Sequence, residues 1–176
     1  MNSIPVIFAI DNNVVMQCGV TITSLLMNAK ADTFYDIYIL CDEVCLDVEE
    51  RKKLKDAFEE STQCKIDFVD VGKTFKEIEK VIQGHVTTAT YYRLLIPVLF
   101  SQFERVIYAD IDIVFQQDLS ELYQNPLPNG EWITAARDLA IDDKFYLKSS
   151  LPAQVGKSEE DYFNAFFLVD EPKVYA

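Results

Sequence analysis

Residues 105–115 read RVIYADIDIVF. The stretch is apolar and β-branched enough to be a buried strand, yet Asp110 and Asp112 interrupt it two residues apart. An ionised carboxylate inside such a strand costs on the order of several kcal/mol unless something neutralises it. At the point where a strand leaves its sheet the same pair has a use. The pleat can bend there, so both carboxylates can converge on one point. Converging carboxylates repel unless a divalent cation sits between them, and all-oxygen ligation suits Mg²⁺ or Mn²⁺. Such a cation keeps positions open for substrate phosphates and offsets the charge of a diphosphate leaving group. The triplet alone also fits a solvated strand-to-loop edge of an acidic chain. Its apolar continuation, IVF, sets it apart from an ordinary polar loop.

The sequence on either side repeats one pattern. IPVIFAI (4–10), YDIYILC (35–41) and KIDFVDV (65–71) read as strands, with RVIYADIDIVF as the fourth. Between them, 18–29 reads as a helix carrying Val20, Ile22, Leu25, Leu26 and Met27. Residues 47–60 read as a charged surface helix with Leu54, Ala57 and Phe58 inward. Residues 87–100 read as a helix carrying Arg93, bent or ended by Pro97. Beyond residue 115 come a short helix, a Pro-containing loop and two strand candidates, 132–138 and 161–170. Alternation at βαβ spacing predicts an α/β fold with a mostly parallel sheet covered on both faces, in one domain over 1–176. Ligands in such sheets bind at the carboxyl ends of strands. Two such ends carry carboxylates and amides, AIDNN (9–13) and YADID (108–112).

Composition narrows the function. The 176 residues are 49% hydrophobic, enough for a sizeable core. The net charge of −13 argues against nucleic acid as the main partner. An anionic substrate would need local help from a metal ion or a well-placed Arg. The cysteines, Cys18, Cys41, Cys45 and Cys64, form no CxxC pair and read as free thiols, Cys41 and Cys64 in or at the ends of strands. The N-terminal stretch has no basic region and too short an apolar run for a signal peptide, and no stretch reaches membrane-spanning length. A cytoplasmic location is the expectation.

Four blocks together resemble glycosyltransferase family 8, which includes lipopolysaccharide galactosyl- and glucosyltransferases and the glycogenins. FAIDNN (8–13) resembles the family's N-terminal nucleotide-binding motif, and TATYYRLLIPVLF (88–100) its helix with a donor-contacting Arg. RVIYADIDIVF resembles its metal-binding DXD strand, and YFNAFFLVD (162–170) its YFNAG strand. The resemblance runs over essentially the whole chain, in the family's order. It implies a GT-A fold, a Rossmann-like mixed sheet flanked by helices, of which this chain is the N-terminal portion. It implies a retaining hexosyltransferase that takes glucose or galactose from UDP-glucose or UDP-galactose. The acceptor would be a glycan such as lipopolysaccharide core, and the full-length protein would sit peripherally at the inner membrane. Carried over residue by residue, Asp110 and Asp112 would bind Mn²⁺ or Mg²⁺, with Ile111 between them. Ala9, Asp11 and Asn13 would contact uracil and ribose. Arg93 would lie near the diphosphate and donor sugar, and Asp138, Asn164 and Ala165 would line the sugar pocket. No residue is assigned as nucleophile.

Each position has a plainer reading beside this one. Asp11 and Asn13 can form an Asx turn after a strand, Arg93 can be a surface cation, and His85 reads as structural or a cap. The chain also departs from the family. Val14 stands where a Tyr often stacks on uracil, and Phe166 where a Gly follows FNA. The later D-Q-D and His-containing motifs are missing, so a longer parent protein is expected. Two other functions fit parts of the pattern. One is a UDP-sugar-binding fragment without turnover. The other is a haloacid-dehalogenase-type phosphohydrolase, whose D-X-D-X-T/V signature DIDIV matches, although it would belong on the first strand.

Overall fold

The computed structural model describes residues 2–72, 74, 87–125, 127 and 133–135. The chain divides into two compact units, 1–124 and 125–176, and all the described helices and strands lie in the first.

Strand β1 (Asn2–Ala9) leads through a short 3₁₀ turn (Asn12–Val14) into helix α1 (Val15–Met27). Strand β2 (Thr33–Cys41), helix α2 (Val48–Asp56) and strand β3 (Cys64–Asp70) follow. Helix α3 (Ala89–Tyr92) runs through a 3₁₀ turn (Arg93–Leu95) into helix α4 (Ile96–Leu99). Strand β4 is only Ile107–Tyr108, and helix α5 is Ser120–Gln124. The four strands pair in parallel in the order β3-β2-β1-β4. The antiparallel strands of a mixed sheet are not among them. Val6 faces Ile37 on one side and Ile107 on the other, and Ile37 faces Ile66, so one apolar row crosses the sheet.

Period-2 alternation splits the strands between two cores. Ile4, Val6, Phe8 and Ile10 join Tyr35, Ile37, Ile39 and Cys41 against Cys18, Ile22 and Leu25 of α1 and Leu54 of α2. The intervening Ile7 and Leu40 pack on the other face with Ala89, Tyr92 and Phe100. Tyr38 lies there edge-on to Phe100, at 5.0 Å between centroids. Both faces are thus covered, as a parallel sheet requires.

Two expectations need correction. Residues 105–115 are not one long strand: only Ile107–Tyr108 pair, and Ala109 N–H still donates to Ile7 O at 3.1 Å before the chain turns away. Ala57 is exposed, while Leu54 is buried and Phe58 partly so, because α2 ends at Asp56. By contrast, the expected helix over 87–100 does divide at Pro97: α3 gives way to the 3₁₀ turn, and Pro97 occupies the first turn of α4, where its missing N–H has no intrahelical acceptor to lose. Residues 133–135 carry no regular structure, and 161–170 lie outside the described residues.

A buried carboxylate ties the far side of the sheet together. Asp118 accepts from Lys30 N–H at 2.9 Å, Tyr35 Oη at 3.0 Å and Ser120 N–H at 2.8 Å. Tyr35 Oη in turn accepts from Leu119 N–H at 3.1 Å. Burial pushes the Asp118 carboxyl up, but hydrogen bonds involving Ser120, Lys30 and Thr33 outweigh it and hold its pKa well below the usual carboxylate range. Burial is also the main cause that pushes the Tyr35 hydroxyl up to about 12, so it remains a donor. The folded pKa of Asp118 is depressed, so its stabilisation is present above the unfolded carboxylate value and is lost as pH falls toward the folded one. Asp118→Asn is expected to lower stability by about 2 kcal/mol at neutral pH. The gap to the unsubstituted protein closes below about pH 5, measured by urea denaturation across that range.

Candidate functional site at the carboxyl edge of the sheet

The strand order puts β2 and β3 on one side of β1 and β4 on the other. The chain therefore reverses its direction of growth at β1. The loops leaving β1 and β4 splay apart at such a point and leave a crevice beyond the carboxyl ends. Strands in a sheet lie about 4.8 Å apart, and Ile7 pairs with Tyr108. The segments Ala9–Asn13 and Asp110–Asp112 thus leave neighbouring strands at one edge.

The first segment is held tightly. Ala9 ends β1, half-buried. Asp11 has extended backbone and caps the 3₁₀ turn, its Oδ1 accepting from Asn13 N–H at 2.8 Å. The plainer Asx-turn reading of Asp11 is therefore realised in the structure, and it leaves Oδ2 available. Asn12 exchanges hydrogen bonds with Asp47: its Nδ2 donates to Asp47 Oδ2, and Asp47 N–H donates to its Oδ1, both at 2.9 Å. This pins the loop after β1 to the start of α2. The Asn13 side chain is exposed. Val14 packs, half-buried, against the first core cluster.

The second segment starts where β4 stops. Asp110 Oδ1 accepts from Arg93 Nη2 and from Tyr108 Oη, both at 2.9 Å. Arg93 Nε donates to Thr90 O at 2.8 Å, and its guanidinium carbon lies 4.7 Å from the centroid of the Tyr108 ring. Burial, then the Asp110 charge, pushes the Tyr108 hydroxyl above its ordinary range, with Arg93 opposing; it stays protonated and donates at neutral pH. Ile111 is half-buried and Asp112 exposed. Asp112 has no hydrogen-bond partner among the described residues.

The structure thus joins Arg93 directly to Asp110, two residues assigned to one site from separate blocks of sequence. Asp138, Asn164 and Ala165, with His85 and Phe166, lie outside the described residues. Sequence reasoning passed over Tyr108 as a site residue, although its place two before Asp110 puts both on one side of the strand end. It also passed over Thr21, Ser24 and Asn28, whose i, i+3, i+7 spacing marks one face of α1. Among the described residues no group of three or more His, Cys, Asp or Glu side chains gathers around a point. The chemistry of the donor set still fits Mg²⁺ or Mn²⁺: Asp110 and Asp112 are hard oxygen donors, and such ions take one or two carboxylates, with water and phosphate completing the shell.

This architecture is the GT-A type found in nucleotide-sugar transferases. The apo structure of WbbM, a bifunctional glycosyltransferase, superposes with a TM-score of 0.75 at 23% identity, over 98% of this chain and 30% of WbbM. The galactosyltransferase LgtC, solved with donor and acceptor sugar analogs, superposes with a TM-score of 0.67 at 19% identity, over 89% of this chain and 53% of LgtC. The pattern of glycosyl transferase family 8 matches residues 5–176, and the chain belongs to that family. A Haemophilus influenzae protein whose name provisionally makes it a glycosyltransferase is 27% identical over 166 residues, 93% of this chain and 47% of the relative. General stress protein A of Bacillus subtilis is 28% identical over 164 residues, 90% of this chain and 52% of the relative. The chain spans about half the length of these curated relatives. No helix among the described residues is long and apolar enough to cross a membrane.

The Arg93–Asp110 pair is partly exposed, which limits its worth. A double-mutant cycle with Arg93→Gln and Asp110→Asn, read by urea denaturation without divalent cations, should give a coupling of about 0.5 kcal/mol. It should shrink in high salt.

Proposed function

We propose that this chain is the donor-binding part of a metal-dependent, retaining hexosyltransferase. The transferase would move glucose or galactose from UDP-glucose or UDP-galactose to a glycan such as lipopolysaccharide core. Family membership supports transfer of a glycosyl group. The observation that carries the site assignment is the meeting of Arg93 and Asp110 at the strand-order reversal, where α/β sheets hold nucleotides.

The division of labour follows from the donors present. Asp110 and Asp112 would hold Mn²⁺ or Mg²⁺, which supplies Lewis-acid neutralisation of the diphosphate. Tyr108 orients Asp110 through its hydroxyl. Arg93 is aimed along the same edge, and its planar fork matches phosphate or sugar oxygens. Ala9, Asp11 and Asn13 form the wall beside the nucleoside, with Asp11 Oδ2 available as an acceptor. Ile111 contributes backbone between the two carboxylates. By the family resemblance alone, Asp138, Asn164 and Ala165 would contact the donor sugar, and 1–176 would belong to one transferase domain.

Calorimetric titration of UDP tests it. Binding is expected with Mn²⁺ present, to weaken strongly without it, and to be lost in Asp110→Ala/Asp112→Ala. Equal binding to the folded double variant would overturn the site assignment. Metal-dependent binding of UDP without hydrolysis of either UDP-hexose would favour the binding-only reading.

A further inference from the structure

After β4 ends, residues 111–115 belong to no strand. Their peptide groups must still find partners, and they find them on α1. The Thr21 hydroxyl donates to Ile111 O at 2.7 Å and shares its proton with Ile113 O at 3.0 Å. Ser24 Oγ spends its proton on Thr21 O, at 2.8 Å, and uses a lone pair to accept from Phe115 N–H at 3.0 Å. Asn28 Nδ2 donates to Ser24 O at 2.9 Å and to Phe115 O at 3.0 Å. Thr21 is 1% exposed and Ser24 9%, so both hydroxyls are buried, while Asn28 is half-buried.

The carbonyl of Ile111 belongs to the peptide that joins Ile111 to Asp112. Fixing its direction fixes the plane from which Asp112 departs. Side-chain packing cannot do this alone. Ile111 and Phe115 rest against the core, but Ile113 and Val114 between them are exposed at 37% and 64%. Asp110 is oriented by Arg93 and Tyr108, whereas Asp112 takes its position from its backbone.

We infer that Thr21, supported by Ser24 and Asn28, is a positioning residue for the paired carboxylates: the buried hydroxyl face of α1 sets the turn that aims Asp112 at the cation. This rests on the metal-site reading above. Thr21 touches no ligand in it; it acts through the Ile111 and Ile113 carbonyls.

The test is a Mn²⁺ titration followed by the electron paramagnetic resonance signal of the free ion, with UDP present. It uses the unsubstituted chain, Thr21→Val, Thr21→Ser and Asp110→Ala/Asp112→Ala. Thr21→Val keeps the shape and removes the hydroxyl. It is expected to weaken Mn²⁺ binding about tenfold, the lower end for loss of an outer-shell partner. Thr21→Ser should restore most of that affinity. Amide exchange at 112–115 should rise in Thr21→Val and not in Thr21→Ser. If Thr21→Val fails to fold, Ser24→Ala is the substitute and should show the same two changes in smaller measure. A folded Thr21→Val that binds Mn²⁺ like the unsubstituted chain, or shows unchanged exchange, overturns the inference while the metal site stands. No Mn²⁺ binding by the unsubstituted chain, or equal binding by the double aspartate variant, overturns the metal reading and this inference together.

Discussion

A sheet covered on both faces has no room for an unpaired carboxylate. That constraint decides where β4 ends. Tyr108 can still pair with Ile7, but Asp110 and Asp112 cannot follow it inward, because moving either charge out of water costs more than a ladder bond returns. The apolar run of 105–115 therefore divides. Its first part joins the central strand, and the rest leaves the sheet as a turn with both carboxylates at its start. The candidate site is the place where the hydrophobic pattern and the charges stop being compatible.

Leaving the sheet creates a second problem, which α1 solves. A segment without ladder partners beside a protein core must satisfy its N–H and C=O groups some other way. Thr21, Ser24 and Asn28 do so through hydroxyl and amide groups on the helix face toward 111–115. Three residues further on, Asp118 turns the chain toward α5 by collecting donors from Lys30, Tyr35 and Ser120. The whole stretch from 111 to 120 is thus bound to the α1–β2 region by polar contacts. These are directional, unlike apolar packing, so they fix the conformation of the turn as well as its depth.

The strands and their order of appearance were legible because period-2 apolar runs and helical spacing are local signals. IPVIFAI, YDIYILC and KIDFVDV fall within a few residues of β1, β2 and β3. Asp110 and Asp112 were legible as charges in an apolar run, and Arg93 joined them as a site candidate through resemblance. Their direct bond was not, since 17 residues and a change of element separate Arg93 from Asp110. The roles of Thr21 and Asp118 were hidden for the same reason: Thr21 meets Ile111 across 90 residues, and Tyr35 meets Asp118 across 83. In a single sequence a buried Thr on a helix looks like any poor helix former. The length of β4 was misjudged because apolar character continues past Asp112 as Ile113 and Val114, which turn out to be exposed.

Charge at the carboxyl edge bears on what can bind there. Of the assigned residues described in the structure, Asp11, Asp110 and Asp112 are acidic and Arg93 alone is basic, and Arg93 is already paired with Asp110. A nucleoside diphosphate approaching this edge meets carboxylates in excess, on a chain whose net charge is −13. A single guanidinium cannot serve both Asp110 and a phosphate at full strength. A divalent cation on the two aspartates would neutralise the edge and, by competing for Asp110, could loosen Arg93 toward the phosphate. The same event would both admit the anion and free the residue that grips it. Tyr108 donates to the same Asp110 oxygen as Arg93, so the carboxylate has a second orienting partner that carries no charge and does not compete for the phosphate.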